Sequence, residues 1–388
     1  MLFGKLSIIL SLVTSLSASL DHTNNTEKPY PTSVFQQMHT MGFDTSSKYK
    51  LSTKVNQKIQ LEDTTITITD VLYDGINIYI GYQTRPYNKV YHDYHFSFKV
   101  NGKPMDGFGY SIDQRKINNS QGANILTLTP RNPLNSEFEL SLYLNQKNSK
   151  QNLTSSMVEL PIKKIKGVKS YSLSLNKSLQ GNRYSIKKVV FSPIVTAIIF
   201  DAEISVHDHN SIKYLLFNNE IMLNPLGSGG GGGPEKDGKI VTRNIARFEP
   251  LEKLPKRLVF QAVKVQNPKN GSNKLLEKPL SKLPLSLKQG EVGSIKVTEI
   301  KNGKNYTKIY YEVEGKEPYK QATAFFLKDD ANQKYDMLKP PDRLSDDEYK
   351  FVATFEPTNQ TDNLSIVSAQ LKKPVSIDTF KVEIKLEK

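Results

Sequence analysis

The stretch ITITDVLYDGINIYIGY, from Ile66 to Tyr82, decides the fold class. Apolar and polar residues alternate through its first half, the pattern breaks at Asp74-Gly75, and alternation then resumes. In an extended chain successive side chains point to opposite faces, so this reads as two half-buried antiparallel strands joined by a turn. A similar hairpin returns as YSIKKVVFSP (Tyr184 to Pro193) followed by IIFDAEI (Ile198 to Ile204). It returns once more as GSIKVTEI (Gly293 to Ile300) followed by KIYYEV (Lys308 to Val313).

The recurrence extends on both sides of the hairpin. The three units open with LSTKVNQK (Leu51 to Lys58), YSLSLNKSL (Tyr171 to Leu179) and LSLKQ (Leu285 to Gln289). They later carry LTLTP (Leu126 to Pro130), ARFEP (Ala246 to Pro250) and ATFEP (Ala353 to Pro357). Asn56 and Asn176 are 120 residues apart, as are Pro130 and Pro250, and Pro357 follows Pro250 by 107. Independent landmarks at one offset identify a repeated unit. Several short alternating strands within about 110 residues are the pattern of a β-sandwich. The expected fold is therefore all-β: tandem antiparallel Ig-like β-sandwich domains. "Ig-like" here means architecture only, because the chain has neither Cys nor Trp.

Length and composition agree. The 388 residues exceed what one core holds, and an absence of cysteine excludes disulfides, thiolate nucleophiles and Cys-ligated zinc. Residues 1–20 read as a signal peptide or membrane anchor: one Lys, an apolar run from Leu6, then the small residues Ser17, Ala18 and Ser19. That run is shorter than the roughly 20 residues a comfortable spanning helix needs, which favours cleavage. Residues 21–45 are expected to be a linker with a short helix in SVFQQMHTMG, capped by Ser33 and ended by Gly42. Sandwiches are expected over 46–165, 168–280 and 285–388, with junctions where Lys, Pro and Gly cluster.

The formal net charge of +14 points to solvated lysines or to an anionic surface such as wall polyanion. The basic residues are scattered and form no nucleic-acid fingerprint, so no nucleic-acid partner is expected. GSGGGGGP (Gly227 to Pro234) has glycines that could cradle phosphate, but Pro-Glu-Lys follows where a phosphate loop needs Lys-Ser/Thr. It reads as a connecting loop. The histidines of HDYH (His92, His95) and HDH (His207, His209) offer too few ligands for a closed metal site. DRLSDDE (Asp342 to Glu348) lacks the alternation and Gly of a calcium loop; Ser345 and Glu348 read as a helix-start capping box. No Gly-x-Ser-x-Gly elbow or paired-histidine helix is present. No catalytic, cofactor-binding or metal residue is assigned, and no enzyme activity or cofactor is expected. Tyr87, Lys89, Tyr91 and Tyr94 could meet sugars or polyanions, although strand aromatics more often pair across a sheet.

VNQK (Val55 to Lys58), TITITDVLYDG (Thr65 to Gly75), IGY (Ile80 to Tyr82) and PTSVF (Pro31 to Phe35) together resemble a known family. It is a domain of unknown function in the outer part of Gram-positive membrane-bound anti-sigma-factor-like proteins. The resemblance covers roughly residues 30–145, and Tyr171 to Met222 resembles the second domain that often follows. It implies an extracytoplasmic, sensory module and carries over no catalytic residue. Only Met1 to Lys5 precede the apolar run, so the family's sigma-binding part is not expected in this chain. The expected function is a non-enzymatic extracytoplasmic cell-envelope protein, a sensory or interaction ectodomain. The alternative is a secreted wall- or polyanion-binding adhesin-like rod. The expected partners are a cell-wall polyanion or a membrane protein, with membrane attachment through residues 1–20 if these stay uncleaved.

Overall fold

The computed structural model describes residues 33–38, 50–61, 64–87, 94–105, 107–147, 153–205, 211–266, 274–358 and 364–386. The expected signal or anchor segment and most of the linker lie outside these residues. No helix among the described residues is long and apolar enough to cross a membrane.

The first sandwich holds β1 (Thr53–Leu61), β2 (Thr64–Tyr73), β3 (Ile78–Arg85), β4 (Tyr94–Val100), β5 (Lys103–Pro104), β6 (Phe108–Asn118), β7 (Gln121–Pro130), β8 (Glu137–Lys147) and β9 (Leu153–Lys163). They form a five-stranded sheet, β1-β2-β3-β7-β6, and a four-stranded sheet, β5-β4-β8-β9. The opening hairpin is β2 and β3. Its inward isoleucines, Ile66, Ile68, Ile78 and Ile80, meet Leu140, Leu142 and Leu144 of β8. Each such side chain stabilises the sandwich by roughly 1.5–3 kcal/mol. A one-residue slip of register would turn them all outward, so the alternation dictates the pairing.

The second sandwich repeats this order. Its strands are β10 (Lys169–Leu179), β11 (Asn182–Phe191), β12 (Thr196–Ser205), β13 (Ser211–Asn218), β14 (Ile221–Met222), β15 (Pro225–Lys236), β16 (Lys239–Phe248) and β17 (Arg257–Gln266). Its larger sheet runs β10-β11-β12-β16-β15. The third sandwich has β18 (Leu275–Pro279), β19 (Leu285–Lys288), β20 (Gly293–Gly303), β21 (Tyr306–Gly315), β22 (Phe325–Lys328), β23 (Lys334–Tyr335), β24 (Asp342–Arg343), β25 (Lys350–Phe355) and β26 (Ser365–Ala369). Its larger sheet runs β19-β20-β21-β25-β24. In all three copies the second strand carries a bulge at the same place, at Ile68/Asp70, Ile186/Lys188 and Val297/Glu299.

The last strand, β27 (Val375–Lys385), departs from the expected 285–388 unit. It pairs antiparallel with β17 and completes the second sandwich's smaller sheet, β14-β13-β17-β27. In return β18, expected at the end of the second sandwich, pairs with β26 of the third. In the first sandwich the equivalent strand, β9, folds back on β8 within its own unit. Repeats two and three have thus exchanged their final strands. The sequence after β26 explains why. Leu371 is held to Gln289 through its N–H at 2.9 Å, and Lys372, Lys373 and Pro374 follow. That run has no Gly, Asn or Asp for a tight reversal, and Pro374 keeps Lys373 extended, so the chain runs on to β17. Phe380, Val382 and Ile384 then sit in the second core.

The helix expected over Ser33–Gly42 appears as α1 (Val34–Met38). The expected Ser33 cap is replaced: the Val34 N–H donates to Asp70 Oδ2 at 3.0 Å, and Ser33 Oγ has no partner. Asp70 is fully buried and also receives Lys54 Nζ at 2.7 Å and Thr69 Oγ1 at 2.7 Å. A carboxylate gives a stronger, charge-assisted cap than a hydroxyl. Val34 and Phe35 press against β3 where a Cβ on Gly81 would lie 3.1 Å from Val34 Cβ. That glycine inside a buried strand marks the close approach of α1. Val34, Phe35, Leu72, Tyr79 and Ile125 share one buried cluster with Val190, Ile199 and Ile245. The outward faces of the two larger sheets are therefore joined, and the first two sandwiches share apolar packing.

Candidate functional site

The run GSGGGGGP is a strand, contrary to the loop expected for it. It forms the middle of β15, at the edge of the second sandwich's larger sheet. The physical cause lies just beyond it. Asp237 and Gly238 take φ of 52° and 69°, the two positive values of a type I′ hairpin turn. That turn folds β15 onto β16 and pairs Gly229 with Ile245, Gly230 with Asn244 and Gly231 with Arg243. Glycine weakens a strand by roughly 0.5–1 kcal/mol per residue, so a run of five is costly unless absent side chains are needed.

Space decides where they are needed. A Cβ on Gly230 would lie 2.5 Å from Asn244 Oδ1 and 2.6 Å from the Arg243 carbonyl oxygen. A Cβ on Gly227 or Gly231 would meet nothing within 4 Å, and one on Gly229 would reach only Arg247 Nη1, at 3.7 Å. Gly229 and Gly231 open onto a cavity of about 400 Å³ between β15 and β6, the edge strands of the second and first sandwiches.

Three guanidinium groups line this groove: Arg131 after β7, and Arg243 and Arg247 on β16. Arg243 Nη1 donates to the Arg131 carbonyl oxygen at 2.6 Å. Arg247 Nη2 donates to Asn77 Oδ1 at 3.0 Å and to Thr129 Oγ1 at 2.9 Å, across the boundary between sandwiches. Its Nε–H is buried without an acceptor. Among the described residues none of the three forms an ion pair, and the groove lining contains no carboxylate and no histidine. The remaining lining is hydroxyls, main chain and the apolar Phe108, Tyr110 and Ile245.

The acidic group that acts on Arg247 is Asp74, at the turn of the opening hairpin. Its Oδ1 accepts from the N–H groups of Ile76 at 2.8 Å and Asn77 at 2.7 Å, and Tyr79 donates to Oδ2 at 3.1 Å. Burial raises the Asp74 pKa, against these hydrogen bonds and the Arg247 charge, which lower it. Asp74 shapes the turn that presents Asn77 to Arg247, while the groove retains an excess of positive charge. Guanidiniums beside exposed main chain bind and orient oxyanions through charge-assisted, bidentate hydrogen bonds.

A second polar lock holds the third sandwich in place. Arg343 pairs with Glu249 at 2.8 Å, with side chains only 6% and 11% exposed. Tyr319, in α2 (Pro318–Ala322), donates to Glu249 Oε1 at 2.8 Å and to the Met222 carbonyl at 3.0 Å. Burial is the main cause of a raised Glu249 pKa, with Arg343 opposing it.

The residues singled out in the sequence are dispersed. His95 is exposed on β4, and His92, His207, His209, Lys89 and Tyr91 lie outside the described residues. Tyr87 lies under the Lys116 ammonium, 5.8 Å from its ring centre, and against Gly122. Ser345 starts a turn, not a helix: its Oγ accepts from the Asp347 N–H at 3.2 Å before the chain enters β25. Among the described residues no group of three or more His, Asp or Glu is placed to hold a metal ion. Arg131, Arg243 and Arg247 escaped sequence reading. Their signal was present: Arg243, Ile245 and Arg247 alternate, so both arginines share one strand face.

No protein-family model matches the chain, and no curated protein sequence matches it. Among solved structures, a conserved domain protein from Bacillus anthracis aligns with a TM-score of 0.46 and 16% identity. The alignment covers 59% of this chain and 82% of that one.

Proposed function

We propose that this chain is a non-enzymatic, extracytoplasmic cell-envelope protein, an interaction module that binds a wall polyanion in the groove between β6 and β15. The observation that carries this reading is the set of three guanidiniums without a carboxylate in the lining, beside a strand stripped of side chains. The formal net charge of +14 would draw a polyanion toward that groove from a distance. The apolar segment in residues 1–20 and the resemblance of residues 30–145 support the extracytoplasmic part of this reading. A sensory ectodomain is the second reading, and α1 favours it. This helix follows the N-terminal segment and contributes Val34 and Phe35 to the cluster shared by both sandwiches, which also holds Ile245 of the groove lining.

The test is retention of the purified chain on an immobilised anionic wall polymer against a neutral glycan. The expected result is selective retention that falls steeply with salt and is lost in R131Q/R243Q. Equal retention on both supports, or retention indifferent to the double substitution, contradicts the reading.

A further inference from the structure

The edge of β15 differs from the equivalent edges of the other two sandwiches. β6, β15 and β24 hold the same place, each last in its larger sheet and hydrogen-bonded to a neighbouring strand on one side. A free sheet edge invites pairing with another chain, and proteins blunt it with charged side chains or by keeping the strand short. β6 carries Asp113, Arg115 and Lys116, and β24 is only 2 residues long. β15 has neither protection. It runs for 12 residues, Gly227 to Gly232 are exposed, and among the described residues it pairs with no strand but β16. Alternate residues of this stretch turn their N–H and C=O groups away from β16.

Packing does not call for a bare outer face, since a Cβ on Gly231 would meet nothing within 4 Å. What the missing side chains leave open is the path from the edge to the arginines. Arg247 Nη1 lies 3.7 Å from the Cβ position of Gly229, and Arg131 Nη2 lies 3.9 Å from that of Gly233. Between them Gly231 stands directly opposite Arg243, and cross-strand partners share a face. A guanidinium thus accompanies Gly229, Gly231 and Gly233 in turn, at the two-residue period of one strand face.

A strand added to β15 carries its own side chains on the same alternation. Its residues opposite Gly229, Gly231 and Gly233 point to the arginine side, and the residues between them point away. Carboxylates at every second position meet the guanidiniums over bare main chain, while the peptide N–H and C=O groups pair with the edge. A second copy of β15 is the wrong partner, because it would bring a second set of the same arginines against the first.

We infer that the free edge of β15 is a docking site for an extended polypeptide segment with acidic residues at alternate positions. The segment adds one strand to the five-stranded sheet of the second sandwich. The main chain of β15 supplies the pairing, and Arg131, Arg243 and Arg247 select the acidic pattern. The inference does not rest on the wall-polymer reading, since it requires the hydrogen-bonding edge and not the groove's charge alone.

The experiment is equilibrium binding of a short fluorescent peptide of alternating Glu and Thr to the full chain. Hydrogen exchange of β15 is read by mass spectrometry in the same mixture. Two further peptides are measured beside it: the same sequence N-methylated throughout, which keeps every charge and removes every N–H, and an alternating Gln–Thr peptide. The Glu–Thr peptide should bind and slow exchange in Gly227–Gly232. N-methylation should weaken it by about ten-fold or more, and Gln for Glu by about five-fold or more. If the N-methylated peptide binds as tightly, charge alone holds it, and strand addition is refuted while anion binding in the groove stands. If the Gln–Thr peptide binds as tightly, the acidic partner is refuted. Binding of no peptide, or binding that leaves exchange in β15 unchanged, overturns the proposal. So does self-association of the chain alone, seen by sedimentation, that protects β15, because it puts a second copy on this edge.

Discussion

Removing β27 should unfold the wrong domain from the standpoint of a simple tandem array. Cutting the chain before Val375 deletes Phe380, Val382 and Ile384, which are 7%, 4% and 0% exposed in the second core. At roughly 1.5–3 kcal/mol for each buried side chain, their loss costs about 5–9 kcal/mol. The cut also strips β17 of its pairing partner along Arg257–Gln266. A domain of this size is stable by only about 5–15 kcal/mol, so the second sandwich should be largely unfolded. A milder form is Phe380→Ala, whose ring lies 5.1 Å from Tyr184 and 6.3 Å from Phe260; it should cost about 3–5 kcal/mol. Hydrogen exchange read by mass spectrometry resolves the two sandwiches. Peptides from β12, β16 and β17 should lose protection, and those from β20, β21 and β25 should keep it. Loss of protection confined to β20–β26 would refute the strand exchange and restore a self-contained third unit.

Three further outcomes follow from the same geometry. Gly231→Val places its side chain in open groove, so stability should change by no more than about 1 kcal/mol while polyanion binding drops at least ten-fold; unchanged binding would contradict the groove. Gly81→Ala sets a methyl 3.1 Å from Val34 Cβ and should cost about 1–3 kcal/mol, read as faster exchange in α1 with the β2–β3 hairpin intact. Glu249 has a folded pKa above its unfolded value, so the folded state holds the proton more tightly. Its contribution is most favourable below the unfolded carboxylate pKa and is lost as pH rises through the folded one. Glu249→Gln should therefore flatten part of the fall in stability with rising pH in urea titrations, and an unaltered pH profile would contradict the raised pKa.

What the sequence showed and what it hid have physical causes. The Ile66–Tyr82 hairpin was legible because its isoleucines alternate at the period of a strand and face one core. IGY and PTSVF lie far apart in the sequence, and the fold gives them a common cause: Gly81 makes room for Val34 and Phe35. The glycine run misled because composition speaks for flexibility, whereas the Asp237-Gly238 turn beyond it dictates main-chain pairing. The exchange of β18 and β27 was hidden because alternating strands fit either sandwich. The choice falls to Leu371–Pro374, which cannot make a tight reversal. Arg243 and Arg247 belong to the scattered basic residues, and only the approach of β6 and Arg131 turns their face into a groove.

The measurement that bears most directly on the polyanion groove is the salt dependence of binding to a linear phosphodiester polymer, for the full chain and for R131Q/R243Q. Each phosphate neutralised releases counterions and adds about 0.7–0.9 to the log–log slope. The account predicts a steep negative slope that becomes shallower by about 1.5 in the double variant. An identical slope in both proteins would place the binding elsewhere on the basic surface and contradict the groove.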